Sequence, residues 1–275
     1  YDFEGSALSN MLDVLAYNTY YTAFNTSMVA NELFLDSATL RDNVVSLAKQ
    51  LGYTPKSITS PKAIVDLGIT FTGTAPAAVT LKAGSGFVSN YDGSLYRFVV
   101  TEDTKVSVAN NIASFGNLSV YEGSYLTTNT VIDTSLKSQR FIIENTGVDT
   151  NTVKVRVFTS AGSTVYEDYS VASNILDIGA ADKVFFISEQ EDENYEIFFG
   201  DGVLGKKLED GNVVQISYVV TNGEATNGAK TFTFNGVLED QNNTPVTVPF
   251  GITTLTTVSN ASGGAAIETI DKIKF

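Results

Sequence analysis

The chain has 275 residues, with 31 Asp and Glu against 17 Lys and Arg, a net charge of −14, and neither Cys nor His. Those absences exclude disulfides, thiol nucleophiles, thiolate or imidazole zinc sites and every Ser-His or Cys-His triad. The acidic balance opposes a general grip on nucleic acid or on anionic lipid, and no stretch approaches the ~20 uninterrupted apolar residues of a membrane span.

Charged residues make up only 17%, and Gly, Ser, Thr and Asn fill the difference, the composition of a sheet-rich protein with many turns. The chain begins at Tyr1 rather than Met and reads as an internal or trimmed segment of a longer product. Its first fifty-odd residues are helical in pattern. Ser6 is placed to cap a helix running to about residue 33, since no Gly or Pro follows Gly5 in that stretch. Val14, Tyr17, Tyr21, Phe24 and Met28 are spaced 3, 4, 3, 4 and share one face, while Leu8, Leu12 and Leu15 mark a second. A helix with two apolar faces must pack against more than one neighbour, within its own fold or across a subunit boundary. A second helix fits residues 37–51, capped by Asp36 or Ser37, with Leu40, Val44, Leu47 and Leu51 at helical spacing and Gly52 as its left-handed stop.

From about Ser60 the period changes to 2. Val65, Leu67, Ile69 and Phe71 alternate with Asp66, Gly68 and Thr70, and similar runs fall at 78–82, 95–101, 106–108, 141–144, 153–158, 184–188, 195–199, 213–221 and 230–234. Turn clusters such as 83–86, Asp92-Gly93 and Asp201-Gly202 separate them. This pattern predicts antiparallel sheets in sandwich-like or barrel-like subdomains. After Ser262-Gly263-Gly264 the spacing of Ile267, Ile270 and Ile273 predicts the start of a helix over 265–275, with more protein following it. The fold expected is therefore α+β and mainly β. It comprises a helical segment at 1–59, a first β subdomain at 60–138, a second at 139–260, and the beginning of a helical region at 261–275.

Candidate chemistry is thin. The glycine-dense Phe199-Gly200-Asp201-Gly202 with Gly205 lacks the Lys-Ser/Thr of a phosphate loop, and Asp192, Asp201 and Asp210 lack calcium-loop spacing, so it reads as a structural hairpin. The acidic run at 189–193 suits a solvated loop tip or a surface facing a basic partner. Asp133-Thr134-Ser135 weakly resembles half of an aspartic protease site, but the second Asp that would share its proton is missing. No catalytic, metal-ligating or cofactor-binding residue is assigned.

Several motifs in order resemble one family. They are Asp2-Phe3-Glu4-Gly5-Ser6, Leu12 to Thr19, Asn31 to Asp36, Leu40 to Val45, Leu51 to Ser57, the Phe199 to Gly202 motif with Gly205, Gly211, Val214, Tyr218 and Gly223, then Asn227-Gly228, and finally Ala261 to Glu268. Together they resemble the baseplate wedge protein of contractile-tailed bacteriophages, in the baseplate-J-like group. Ala266 stands where that family commonly has Asp, which touches only helix capping.

The resemblance implies a non-enzymatic part of the virion tail, assembled in the bacterial cytoplasm. It would form the inner baseplate ring, dimerise within the wedge, contact other wedge subunits through helices and couple to sheath contraction. It implies no cofactor, nucleic acid, membrane or small-molecule substrate, and this sequence would be the N-terminal half. Leu8, Leu12, Leu15, Val14, Tyr17, Tyr21, Phe24 and Met28 are the expected partner contacts. Two other readings stay open: a tail adhesin using Tyr91-Asp92 or Tyr166-Glu167-Asp168 to hold host sugar, and a cell-wall hydrolase built on a carboxylate pair.

Overall fold

The computed structural model describes residues 7–136, 139–172, 177–190, 193–246, 248 and 253–274. They fall into two compact units, Tyr1–Pro55 with Glu268–Phe275, and Lys56–Ile267.

The smaller unit holds α1 (Ala7–Asn31), α2 (Arg41–Gln50) and the short α3 (Ile270–Ile273). Its core is small: Ala38, Val44, Val45, Ala48 and Ile273, with Leu35, Leu47 and Ile270 against them. Of the expected α2 stripe, Val44 is buried and Leu47 partly so, whereas Leu40 and Leu51 are exposed; the buried face runs through Val44, Val45 and Ala48 instead. The helix starts at Arg41 rather than 37 because its first turn is capped from a distance. The Glu32 carboxylate accepts hydrogen bonds from Thr39 N (2.8 Å), Thr39 Oγ1 (2.6 Å), Leu40 N (3.2 Å) and Asn43 Nδ2 (2.9 Å). Ser37, expected as that cap, donates its hydroxyl to the Asn31 carbonyl at the end of α1. Gly52 does end α2: at φ 81° it lets its own N–H reach Lys49 O and that of Tyr53 reach Ala48 O. At the other end of the chain, α3 is limited to Ile270–Ile273 because the residues before it run extended, with Ala265 pairing with Thr59. The Tyr53 hydroxyl donates to the Glu268 carboxylate, and Arg41 donates to the Glu268 carbonyl, tying the two ends of this unit together. Ser6 lies outside the described residues.

Among its described residues the larger unit has seventeen strands. In chain order these are β1 (Lys62–Thr70), β2 (Ala78–Leu81), β3 (Gly86–Tyr91), β4 (Ser94–Val99), β5 (Thr104–Ser107), β6 (Ile112–Glu122), β7 (Ser124–Val131), β8 (Phe141–Ile143), β9 (Val148–Phe158), β10 (Tyr166–Val171), β11 (Val184–Glu189), β12 (Tyr195–Phe199), β13 (Val213–Val220), β14 (Thr233–Phe234), β15 (Leu238–Asp240), β16 (Pro245–Val246) and β17 (Thr253–Ser262). A six-stranded sheet, β14-β3-β4-β6-β1-β17, and a four-stranded sheet, β16-β15-β2-β5, share one core of Leu67, Ile69, Leu81, Phe87, Phe98, Phe115 and Leu238 among others. A seven-stranded sheet, β7-β13-β9-β10-β11-β12-β8, encloses a second core in which Val155, Phe185, Ile197, Val214 and Ile216 converge. Among the described residues these strands pair antiparallel, except β10 with β11.

Local chemistry explains the layout. In β1 Ala63, Val65, Leu67 and Ile69 are buried in strict alternation. Asp92 and Gly93 both have positive φ, 50° and 77°, the conformation a two-residue turn between β3 and β4 demands. In β6 the alternation slips by one residue between Phe115 and Leu118, at a bulge where Asn117 takes φ 53° and gives its N–H to Asp66 Oδ1 (2.6 Å). The chain then passes from β6 to β7, changing sheets at Gly123. Its φ is 127°, and a Cβ there would collide with the Val220 carbonyl. Beside that switch the buried Glu122 carboxylate accepts from Thr221 Oγ1 (2.6 Å), Asn222 N (3.0 Å) and Asn222 Nδ2 (2.7 Å).

Candidate assembly interface

Helix α1 carries one charged residue, Asp13, in 25 positions, with no acid in its first turn and no base in its last. Eleven of its large apolar side chains are exposed, from 43% at Met28 to 68% at Tyr20. All eight residues expected as partner contacts are among them: Leu8, Leu12, Val14, Leu15, Tyr17, Tyr21, Phe24 and Met28. Neither face of this helix is buried by the described residues. Sequence reasoning missed Met11, Tyr20 and Val29, although Met11 stands three residues from Leu8 and four from Leu15, and Tyr20 four from Phe24.

The helical period separates these residues into two patches. At 3.6 residues per turn, Leu8, Met11, Leu12 and Leu15 share one face, and Tyr17, Tyr20, Tyr21, Phe24 and Met28 lie about 180° away, further along the axis. The aliphatic face continues through Thr19, Thr22 and Thr26, whose hydroxyls donate to the carbonyls four residues earlier (2.7–2.8 Å) and leave their methyl groups outward. On the aromatic face the Tyr17 and Tyr21 rings stand 4.5 Å apart and Tyr20 meets Tyr21 edge-on at 6.1 Å. The hydrogen bond with Tyr21 pushes the Tyr17 phenol above its ordinary range. Helices gain most of their stability from burying a face, and this one has no helix-end charges to substitute for that burial.

The glycine motif does something other than form a hairpin. Strand β12 does end at Phe199, but it pairs with β11 and β8, while β13 pairs with β7 and β9, so the segment between them joins two strands that are not neighbours. Gly200 bridges to Lys207, and Gly202 N donates to Gly205 O (3.1 Å). Asp201 Oδ1 accepts from Val203 N and Leu204 N, which holds its carboxyl below the usual range. A Cβ on Gly200 would run into the Gly205 backbone, and Gly205 itself needs φ 89°. These glycines are steric requirements of a tight loop, pinned where Gly205 N and Lys206 N reach the Gly179 and Asp182 carbonyls.

The remaining candidates have local duties. Asp133 Oδ1 accepts from both Ser135 N (2.9 Å) and Ser135 Oγ (2.6 Å), a turn that keeps its carboxyl ionised below the usual range. The Tyr91 hydroxyl donates to the Asn227 carbonyl, and the Tyr166 ring lies under Arg156, which also pairs with Asp168. Of the acidic stretch at 189–193 and the calcium-loop trio, Glu191 and Asp192 lie outside the described residues. No group of three acidic residues among those described is arranged to hold a metal, and no helix is long and apolar enough to cross a membrane.

Comparison with known proteins accounts for the two regions separately. Residues 1–53 match the family described as baseplate wedge protein gp6-like, helical domain, which takes in α1 and α2. Residues 128–227 match bacteriophage baseplate wedge protein gp6, third domain, which takes in most of the seven-stranded sheet. The chain is similar to the baseplate wedge protein gp6 of Enterobacteria phage T4, 28% identical over 256 residues and covering 86% of this chain. It spans 37% of the length of that relative. The helical match, the β-domain match and the phage T4 relative agree: in both regions the chain is similar to bacteriophage baseplate wedge protein gp6.

Proposed function

We propose that this chain is a non-catalytic structural part of a contractile phage tail, located in the virion baseplate, where α1 joins it to other wedge subunits and to a second copy of itself. The observation that carries this reading is a 25-residue helix with one charge and eleven exposed large apolar side chains. Exposed apolar surface of that extent, set on a regular element, marks a site that a protein partner covers. Its opposed aliphatic and aromatic patches suit two neighbouring helices in one bundle, and aromatic and Met side chains are the types enriched where interfaces are driest.

In this reading residues 1–59 are the assembly segment, and the two β subdomains are rigid spacers that set the reach of the wedge; the first is built from β1–β6 with the returning β14–β17 and the second from β7–β13, rather than from the expected 60–138 and 139–260. Movement of the bundle is how the chain takes part in triggering sheath contraction. The −14 charge keeps unassembled subunits apart in solution, while the nearly uncharged α1 is spared for contact. The test is reconstitution of the wedge from co-expressed subunits, with the full-length protein carrying Tyr21→Ser and Phe24→Ser. Wedges that assemble as for the unsubstituted protein would refute the role of the helix.

A further inference from the structure

The edges of the three sheets are protected in the usual ways, with one exception. Strands β14 and β16 have two residues each, and β16 carries Pro245. Strand β8 has three, beside Arg140, and β5 has four including Lys105. The long β17 is broken by register shifts against β1 between Lys62 and Val65, and Ala261 near its end is engaged on the outer side, where Ala261 N donates to Ala229 O (2.9 Å) and Gly228 N to Ala261 O (2.7 Å). Strand β7, at the edge of the seven-stranded sheet, has eight residues, Ser-Tyr-Leu-Thr-Thr-Asn-Thr-Val, without charge or proline, and pairs in unbroken register with β13 alone. Short length, charge, proline and bulges are what natural edge strands use against pairing with another chain, and β7 has none of them.

The register also shows which backbone groups are open. Val131 is opposite Val213, and Ile132 N donates to Asn212 O, so the even-numbered residues of β7 exchange hydrogen bonds with β13. The odd-numbered residues therefore point their N–H and C=O groups away from the sheet. Gln139 Nε2 reaches the Val131 carbonyl (2.7 Å), but among the described residues nothing reaches the outward groups of Tyr125, Thr127 and Asn129. Another extended strand can replace the water on the whole of such a row with backbone partners.

We infer that β7 is an assembly edge at which a second copy of this chain adds its own β7, antiparallel, about a two-fold axis through Thr128. That arrangement is self-complementary. Outward residues meet outward residues, Tyr125 opposite Val131 and Thr127 opposite Asn129 of the partner strand, and no like charges are opposed between two chains that each carry −14. Thr128 meets its own copy in a non-hydrogen-bonded pair, where Cα atoms are about 4.5 Å apart. This interface is separate from α1 and does not depend on the role proposed for that helix.

The chain has no Cys, so Thr128→Cys introduces a single thiol at the axis, within the range that a disulfide spans. Under mild oxidation the variant should double in mass at least about tenfold faster than Thr164→Cys, a cysteine on an exposed loop, because a paired strand raises the effective concentration of the two thiols. Asn129→Pro, which removes an outward N–H, should abolish that advantage when added to Thr128→Cys; if its melting temperature shows that it misfolds, Asn129→Lys replaces it. Cross-linking no faster than the loop control, or cross-linking that persists with the edge blocked, overturns the inference. So does cross-linking that disappears with Tyr21→Ser and Phe24→Ser, since the contact would then run through α1.

Discussion

Replacing Tyr21 and Phe24 by Ser separates assembly from folding. Both rings are about half exposed, 46% and 52%, which leaves roughly 100 Å² of each for a partner to cover. At ~25 cal/mol per Å² the two together contribute about 5 kcal/mol to association. The cost of bringing two bodies together is common to both proteins and cancels in the comparison. Losing 5 kcal/mol weakens binding by about three powers of ten or more. The folded chain should keep its urea midpoint, since neither ring belongs to any of its hydrophobic cores. The assay is titration of the co-expressed wedge subunits with full-length protein, read by sedimentation, beside urea unfolding of the same preparations. An affinity within about threefold of the unsubstituted protein would refute the burial of this face, and a large loss of stability would show that the rings serve the fold instead.

Other expectations concern the fold that carries the helix. Glu32 has a carboxyl held down to about 2, chiefly by the Thr39 hydroxyl and then by Asn43 and the Thr39 amide. A carboxylate depressed in the folded state lends stability above its unfolded value near 4.5, and that stability is lost as pH falls toward 2. Helicity of the smaller unit should accordingly decline over that window, and Glu32→Gln should flatten the decline in circular dichroism. Gly123→Ala places a Cβ against the Val220 carbonyl at φ 127°, so urea unfolding should show a loss of more than about 2 kcal/mol. Phe98→Ala empties the centre of the first core, where Phe98 is fully buried with its ring 4.9 Å from Phe232, and should lower stability by about 3–5 kcal/mol without weakening wedge binding by the folded fraction.

What could be read from sequence followed the strength of the physical signal. The alternation of Val65, Leu67 and Ile69, and the Asp92-Gly93 turn, are local and uninterrupted, and both appear as expected. Strand β6 was invisible because its bulge at Asn117 shifts the apolar residues from 113 and 115 to 118 and 120, which destroys a period of 2. Strands β7 and β17 were missed for another reason. They are rich in Thr, Ser and Asn, and their place in a sheet comes from backbone pairing rather than from a buried face. The Asp201-Gly202 segment has the composition of a hairpin, yet the partners of β12 and β13 are set by distant strands, which no local motif encodes. Long-range capping was equally hidden. Nothing near Leu40 marks Glu32, eight residues back, as the acceptor for the first turn of α2. For α1 the periodicity gave two apolar faces correctly but could not say whether they were covered from within, a matter of tertiary placement that only coordinates decide.

The most direct test of the central claim is amide hydrogen exchange along α1, in the free chain and in the reconstituted wedge. A helix with its side chains exposed and no buried face opens readily, so residues 8–31 should exchange fast in the free protein. In the wedge those amides should become strongly protected, while the buried core strands β1 and β9 keep the protection they already had. Exchange over residues 8–31 that is as fast in the wedge as in the free chain would contradict the account, because α1 would then have no partner there.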